Sequence, residues 1–263
     1  MRINNYNVDS SKIFLRSSNN GVSYNFFRRK KVGDWNKASN WTGIRTCREC
    51  GGFFGIDEEF HGFGIIDYGR HTIEMCEWRG RRVRIDNNKI CVSEYRVVAI
   101  NADIPNYVFN QCGYNVLRDG GYIKNISSGK WVIFGGNIER ITGGSQYFHG
   151  KSLSGQIKIA GGNQHFYNKC SAGQVEIFSG YQDFFDRSSA GNARIISGSQ
   201  RFYNKSSAGQ AEIIGGYQEF FNKSSAGNAK IFGGHQYFYD GSSHGNTKKA
   251  KCYKRIYEDM RSK

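Results

Sequence analysis

The sequence predicts an all-β chain. A right-handed parallel β-helix (solenoid) of 18-residue coils should occupy residues 121–246, with a β-rich N-terminal capping domain over 1–120 and a short C-terminal helix in the basic tail 247–263. Three observations carry this reading. Glutamine recurs every 18 residues, at Gln146, Gln164, Gln182, Gln200, Gln218 and Gln236, and phenylalanine follows two residues later at Phe148, Phe166, Phe184, Phe202, Phe220 and Phe238. A second set repeats in the same frame: Ala172, Ala190, Ala208 and Ala226, each followed by glycine, and then alternating apolar pairs such as Ala193 with Ile195 and Ala211 with Ile213. Finally, 34 glycines, 19 phenylalanines and 16 tyrosines accompany a single proline, Pro105, a composition of tight turns between aromatic strands rather than of a disordered chain.

Each coil therefore carries two short strands with period-two patterning, separated by Ser/Gly/Asn turns. One coil cannot bury its apolar side alone, whereas coils stacked in register about 4.8 Å apart bury a continuous column. The Phe column and the Ile159, Ile177, Ile195, Ile213 and Ile231 column should form the core, with the glutamines hydrogen-bonded between coils as an amide ladder. Asn168, Asp186, Asn204, Asn222 and Asp240 fall at a corner that needs tolerance of left-handed backbone. A six-residue recurrence through Phe166, Ala172, Phe178, Phe184, Ala190 and Ile196 also fits a left-handed hexapeptide helix, but turn-like serines occur once per coil, which favours the right-handed form.

The unit in Gly216, Gln218, Phe220, Ala226, Ala229 and Ile231 resembles the AIDA-like repeat of autotransporter adhesin passengers, with its Gly-Gly-x-Gln-x-apolar run followed by Ala, a small residue and an apolar residue. The resemblance covers about residues 145–246 and implies a right-handed β-helix used for adhesion or self-association. The chain departs from that family in its bulky aromatics and cysteines, and in showing neither a signal-peptide core nor a C-terminal membrane barrel. The expectation is a cytoplasmic protein, or one delivered without a signal peptide. Seven scattered cysteines suggest a reducing compartment.

The first 120 residues lack the repeat. Residues 72–86 and 89–101 have the pattern of two strands joined at Asn87 and Asn88, a hairpin signal. Beyond Thr247, Lys248, Lys249, Lys251, Lys254, Arg255, Arg261 and Lys263 surround Ile256, Tyr257 and Met260, which suggests a helix covering the last coil. The net charge of +15 divides into +5 from each of the three regions, so the short tail is the densest. Such a surplus favours polyanionic partners, and it also keeps a repetitive β-protein soluble.

Four candidate sites follow. Cys47 and Cys50 are spaced as half of a zinc knuckle, which Cys76, Cys91, His61 or His71 could complete; no other cofactor is expected. Lys151, Lys169, Arg187, Lys205 and Lys223 make a basic ladder, and His149, Tyr167, Phe185, Tyr203, Phe221 and Tyr239 an aromatic one beside it. Arg28, Arg29, Lys30 and Lys31, with the run from Arg79 to Arg84, add basic surface in the N-terminal domain. The column of His165, Asp183, Arg201 and Glu219 has the pattern of variable exposed surface rather than of paired catalytic acids. The leading expectation is a non-enzymatic interaction protein that presents its aromatic and basic face to a protein or polymer. A nucleic-acid-binding protein of a mobile element or delivered effector is the rival, and a carbohydrate-active enzyme the weaker third.

Overall fold

Two ladders of parallel strands run through the C-terminal part of the computed structural model. The model describes residues 1–18, 21–22, 27–46, 49–57, 59, 72–85, 89–150, 156–246, 248–249 and 253–256. The chain divides into two compact units, Met1–Asn115 and Val116–Lys263.

In the second unit, a nine-stranded sheet contains Ser145–His149, Asn163–Tyr167, Tyr181–Phe184, Ser199–Phe202, Tyr217–Phe220 and His235–Phe238. We call it the Phe sheet. The eight-stranded partner, the Ile sheet, contains Gln156–Ile159, Gln174–Ile177, Arg194–Ile195, Glu212–Ile213 and Lys230–Ile231. Neighbouring strands pair parallel with an 18-residue offset, Gln200 against Gln218 and Ile195 against Ile213. This is the parallel β-solenoid expected from the repeat.

The columns fall where the repeat chemistry requires. Phe166, Phe184, Phe202 and Phe220 are fully buried and stack at 4.7–4.8 Å between ring centroids, facing the buried Ile column. Each buried glutamine from Gln164 to Gln236 donates through Nε2 to the Oε1 of the glutamine one coil earlier, at 2.8–2.9 Å. The same amide group donates to a backbone carbonyl three residues upstream, as Gln218 does to Gly215 at 3.1 Å. Both amide hydrogens are thus satisfied, which lets a polar column cross an apolar core without an unpaired donor.

Glycine is obligatory at the corner leading into the Phe sheet. Gly198 sits at φ +96°, and a Cβ there would lie 2.6 Å from the Gly180 carbonyl oxygen of the coil below. Only a residue with no side chain permits that approach.

Three features differ from the expectation. The serines are not simple turns: Ser188, Ser206 and Ser224 are buried, while Ser171, Ser189, Ser207, Ser225 and Ser243 bridge coil to coil as a third, one-residue-wide line of pairing. Two of the buried hydroxyls are satisfied locally, Ser206 Oγ donating to the Tyr203 carbonyl and Ser224 Oγ to the Phe221 carbonyl, both at 2.6 Å. The solenoid also starts earlier than residue 121, with Asn115–Leu117 in the Phe sheet, and its first turns are short. Lys130 pairs with Ser145 and Ile123 with Ile138, a 15-residue offset that shortens the side where the serine line later runs.

The third difference is at the C-terminus. The described tail is strand, not helix: Lys248–Lys249 extends the Ile sheet and Tyr253–Ile256 the Phe sheet. The register sets Lys249 beside Ile231 and Lys254 beside Gln236. The unpaired edge of a parallel sheet offers backbone hydrogen bonds that a helix would leave unused, so the chain continues the ladder even after the repeat chemistry has ended. Residues 257–263 lie outside the described residues.

The N-terminal unit is an antiparallel sheet of Ile13–Ser18, Thr72–Ile85, Lys89–Ile100 and Asn36–Lys37, with Phe53–Gly55 pairing on Lys89–Ile100. Ile56 bridges back to Leu15 through two 2.8 Å backbone hydrogen bonds, which brings the strand order round to its first member. The predicted hairpin is present, with Ile85 opposite Lys89; its connection at 86–88, with Asn87 and Asn88, lies outside the described residues. Phe14, Tyr95, Phe53 and Val97 form the core on one side.

Candidate polyanion-binding face of the solenoid

Five successive coils turn the corner after the Phe sheet on two left-handed residues. Asn168 and Lys169 have φ of 56° and 63°, Asp186 and Arg187 55° and 64°, Asn204 and Lys205 54° and 67°, Asn222 and Lys223 51° and 64°. The first residue of each pair suits the conformation, because a short polar side chain tolerates it. These side chains also form their own ladder: Asn204 Nδ2 donates to Asp186 Oδ1 at 3.0 Å, and Asn222 Nδ2 to Asn204 Oδ1 at 3.3 Å.

The second residue has no such excuse. A left-handed conformation costs a long side chain about 1–2 kcal/mol, and glycine would avoid that cost. The fifth coil does place glycine there, Gly241 at φ 69°. In the four coils before it the position carries a cation instead. Lys169, Arg187, Lys205 and Lys223 are exposed, and none makes an ion pair among the described residues. Lys151, the first step of the predicted ladder, lies outside the described residues.

The other charged columns behave differently. On the outer side of the Ile sheet charges alternate in sign from Lys158 to Lys230 and pair along the axis, Arg194 with Glu176 at 3.8 Å and Lys230 with Glu212 at 3.3 Å. On the Phe sheet, Asp183 accepts from Arg201 Nε and Nη2 at 2.7 and 2.9 Å, and His165 Nδ1 lies 3.3 Å away. That column was expected to be variable exposed surface, yet Asp183 is only 4% exposed. Burial alone would raise its pKa, but hydrogen bonds and charge from His165 and Arg201 outweigh it and hold the carboxyl below its ordinary value. Among the described charged columns of the solenoid, only the corner ladder is of one sign throughout, so its members repel at steps of about 4.8 Å.

Replacing Lys205 with glycine should therefore raise stability by about 0.5–1 kcal/mol. Relief of the left-handed strain and of like-charge repulsion exceeds the extra freedom of glycine in the unfolded chain. A denaturant melt of Lys205→Gly with a midpoint at or below the parent would show that the corner is not strained.

The aromatic column is real but differently disposed. Tyr167 is fully buried and Phe185, Tyr203, Phe221 and Tyr239 are half-buried. Their rings stack on one another at 4.7–5.2 Å with interplanar angles of 5–8°. Faces are thereby consumed within the column, and only ring edges point outward. With the faces taken up by stacking, the column offers no open platform for bases or sugars.

Sequence inspection overlooked a third line. Phe178, Ile196, Ile214 and Phe232 precede the glycine corner at one-coil steps; Phe178 is 42% and Phe232 54% exposed. Tyr181 and Tyr217, just past the corner, are exposed as well. Period-two alternation from the buried Ile column points these residues outward, a signal that was available in the 18-residue spacing.

In the N-terminal unit the basic cluster is divided. Arg28, Lys30 and Lys31 are exposed, whereas Arg29 Nε donates to buried Glu74 at 2.7 Å. Arg82 is held by Asp57 and Glu59 at 2.6 and 2.9 Å, and Arg79 lies over Trp35 while pairing with Glu94. A cavity of about 100 Å³ beside Arg82, Asp57, Trp78 and Cys112 has its charges already paired.

The zinc knuckle is not formed. Cys50 is disulfide-bonded to Cys91, because Phe54 pairs with Cys91 across the sheet and the tight approach to that strand carries Cys50 alongside. A half-cystine has no thiolate to give a metal, and the expectation of reduced cysteines fails for this pair. Cys76 is buried elsewhere in the sheet, its thiol pushed up by burial and by Glu74, and Cys47, His61 and His71 lie outside the described residues. Cys170 occupies the buried serine column, and burial pushes its thiol up to about 12. Among the described residues no three His, Cys, Asp or Glu side chains gather to hold a metal ion.

Comparison with protein-family models, with characterised proteins and with solved structures finds no match.

Proposed function

We propose that the solenoid is a non-enzymatic binding scaffold that docks a polyanionic partner along the corner ladder Lys169, Arg187, Lys205 and Lys223. One observation carries this reading. Four coils in succession hold a cation with no ion-pair partner among the described residues, in a left-handed position where the next coil holds glycine, so the column bears both backbone strain and charge repulsion that its own fold does not require. An anion seated along the line would relieve the repulsion. The net charge of +15 attracts such a partner from a distance. The AIDA-like resemblance, which implies adhesion, is compatible with a solenoid that works by surface contact.

The test uses a single-stranded oligonucleotide as a soluble polyanion. Changing Lys169, Arg187, Lys205 and Lys223 together to glutamine leaves the coil pattern intact. It should flatten the slope of log affinity against log salt by up to about three units, at roughly 0.7 per lost contact. A variant with the parental slope would locate binding outside the ladder.

A further inference from the structure

The Phe sheet is framed by two unlike edges. Each of its strands begins at the glycine corner, where Phe178, Ile196, Ile214, Phe232, Tyr181 and Tyr217 stand outward, and ends at the Asn-Lys corner with the unpaired cations. Tyr217–Phe220 is strand and Asn222 and Lys223 turn the corner beyond it, so the edges lie about 13–15 Å apart. The apolar line is held rigidly, since Phe178, Ile196, Ile214 and Phe232 each donate a 2.8 Å backbone hydrogen bond to the coil below.

We infer that this face docks on an anionic lipid bilayer, with the apolar line seated at the acyl boundary and the cation ladder on headgroup phosphates. The inference rests on the polyanion reading of the ladder and names its partner. A soluble polyanion engages only the charged edge and leaves large apolar side chains in water. A bilayer surface takes both edges: interfacial binding grows with apolar area buried plus attraction between basic residues and anionic lipid. Tyrosine and phenylalanine suit that depth, because one end of the ring is apolar and a phenolic hydroxyl can stay wet. Charge complementarity along a straight, rigid line fits a planar surface, and pairing of two copies through the apolar line would bring two like-charged molecules together.

The experiment is co-sedimentation of the full chain with phosphatidylcholine vesicles, with and without phosphatidylserine, alongside oligonucleotide binding. The parent should sediment with the phosphatidylserine vesicles only. Phe178→Ser, Ile214→Ser and Phe232→Ser combined should weaken that partition by at least about tenfold while leaving oligonucleotide affinity unchanged. The four-glutamine ladder variant should weaken both. Circular dichroism of the serine variant should match the parent, because all three side chains are exposed. Parental vesicle binding by the serine variant would overturn the lipid assignment and leave the polyanion reading standing. Failure of the parent to bind phosphatidylserine vesicles, or a dimer in sedimentation velocity that the serine changes abolish without affecting vesicles, would also overturn it. A ladder variant that behaves as the parent in both assays would overturn the underlying reading and this one with it.

Discussion

Phe202→Ala should destabilise the solenoid by about 3–5 kcal/mol. The ring is fully buried and stacks at 4.8 Å on both Phe184 and Phe220. Its removal forfeits the transfer free energy of the side chain and leaves a void between two coils. Neighbouring coils cannot close the gap, because the Gln182, Gln200 and Gln218 amides and the parallel backbone pairing hold the repeat distance on either side. Phe221→Ala, in the outer aromatic column one coil further on, should cost distinctly less, since that ring is half-buried. Denaturant melts of the two variants give the comparison. Equal midpoints would show that the inner column is no more a core than the outer one.

The second large effect lies in the N-terminal unit. Glu74 is fully buried, accepts from Ser18 Oγ at 2.6 Å and Arg29 Nε at 2.7 Å, and lies 3.5 Å from Arg16. Arg16 is itself buried, its guanidinium over the Tyr95 ring at 4.7 Å. Glu74→Gln keeps the shape but removes the negative charge that Arg16 and Arg29 share, and breaking such a buried arrangement from one side costs about 3–5 kcal/mol. Glu94→Gln, whose partner Arg79 is half-exposed, should cost under about 1 kcal/mol. A loss at Glu74 no larger than at Glu94 would mean that water, not Glu74, balances the two guanidinium groups.

The contrast between the two units explains what could be read in advance. Repetition made the solenoid legible: a residue's neighbours one coil away are the same residue type, so Gln200 predicts its own hydrogen-bond partner and Phe202 its own packing. Nothing comparable exists before residue 115. There Arg29 looked like one of four similar basic residues, and only the fold carries it to Glu74, 45 positions away. Cys50 looked like a partner for Cys47, whereas sheet pairing delivers it to Cys91.

Within the solenoid the same division holds at finer scale. The spacing of 18 by itself determined the stacked columns, the amide ladder and the left-handed Asn/Asp corner, because each follows from one coil repeated in register. Only the tertiary structure decided which outward columns remain available. It stacked the aromatic rings face to face, buried Asp183 under Arg201, and left the corner cations without counter-ions among the described residues. Periodicity states which residues share a line. Whether that line saturates itself or stays open depends on ring orientation, side-chain reach and burial, and these exist only once the coils are packed.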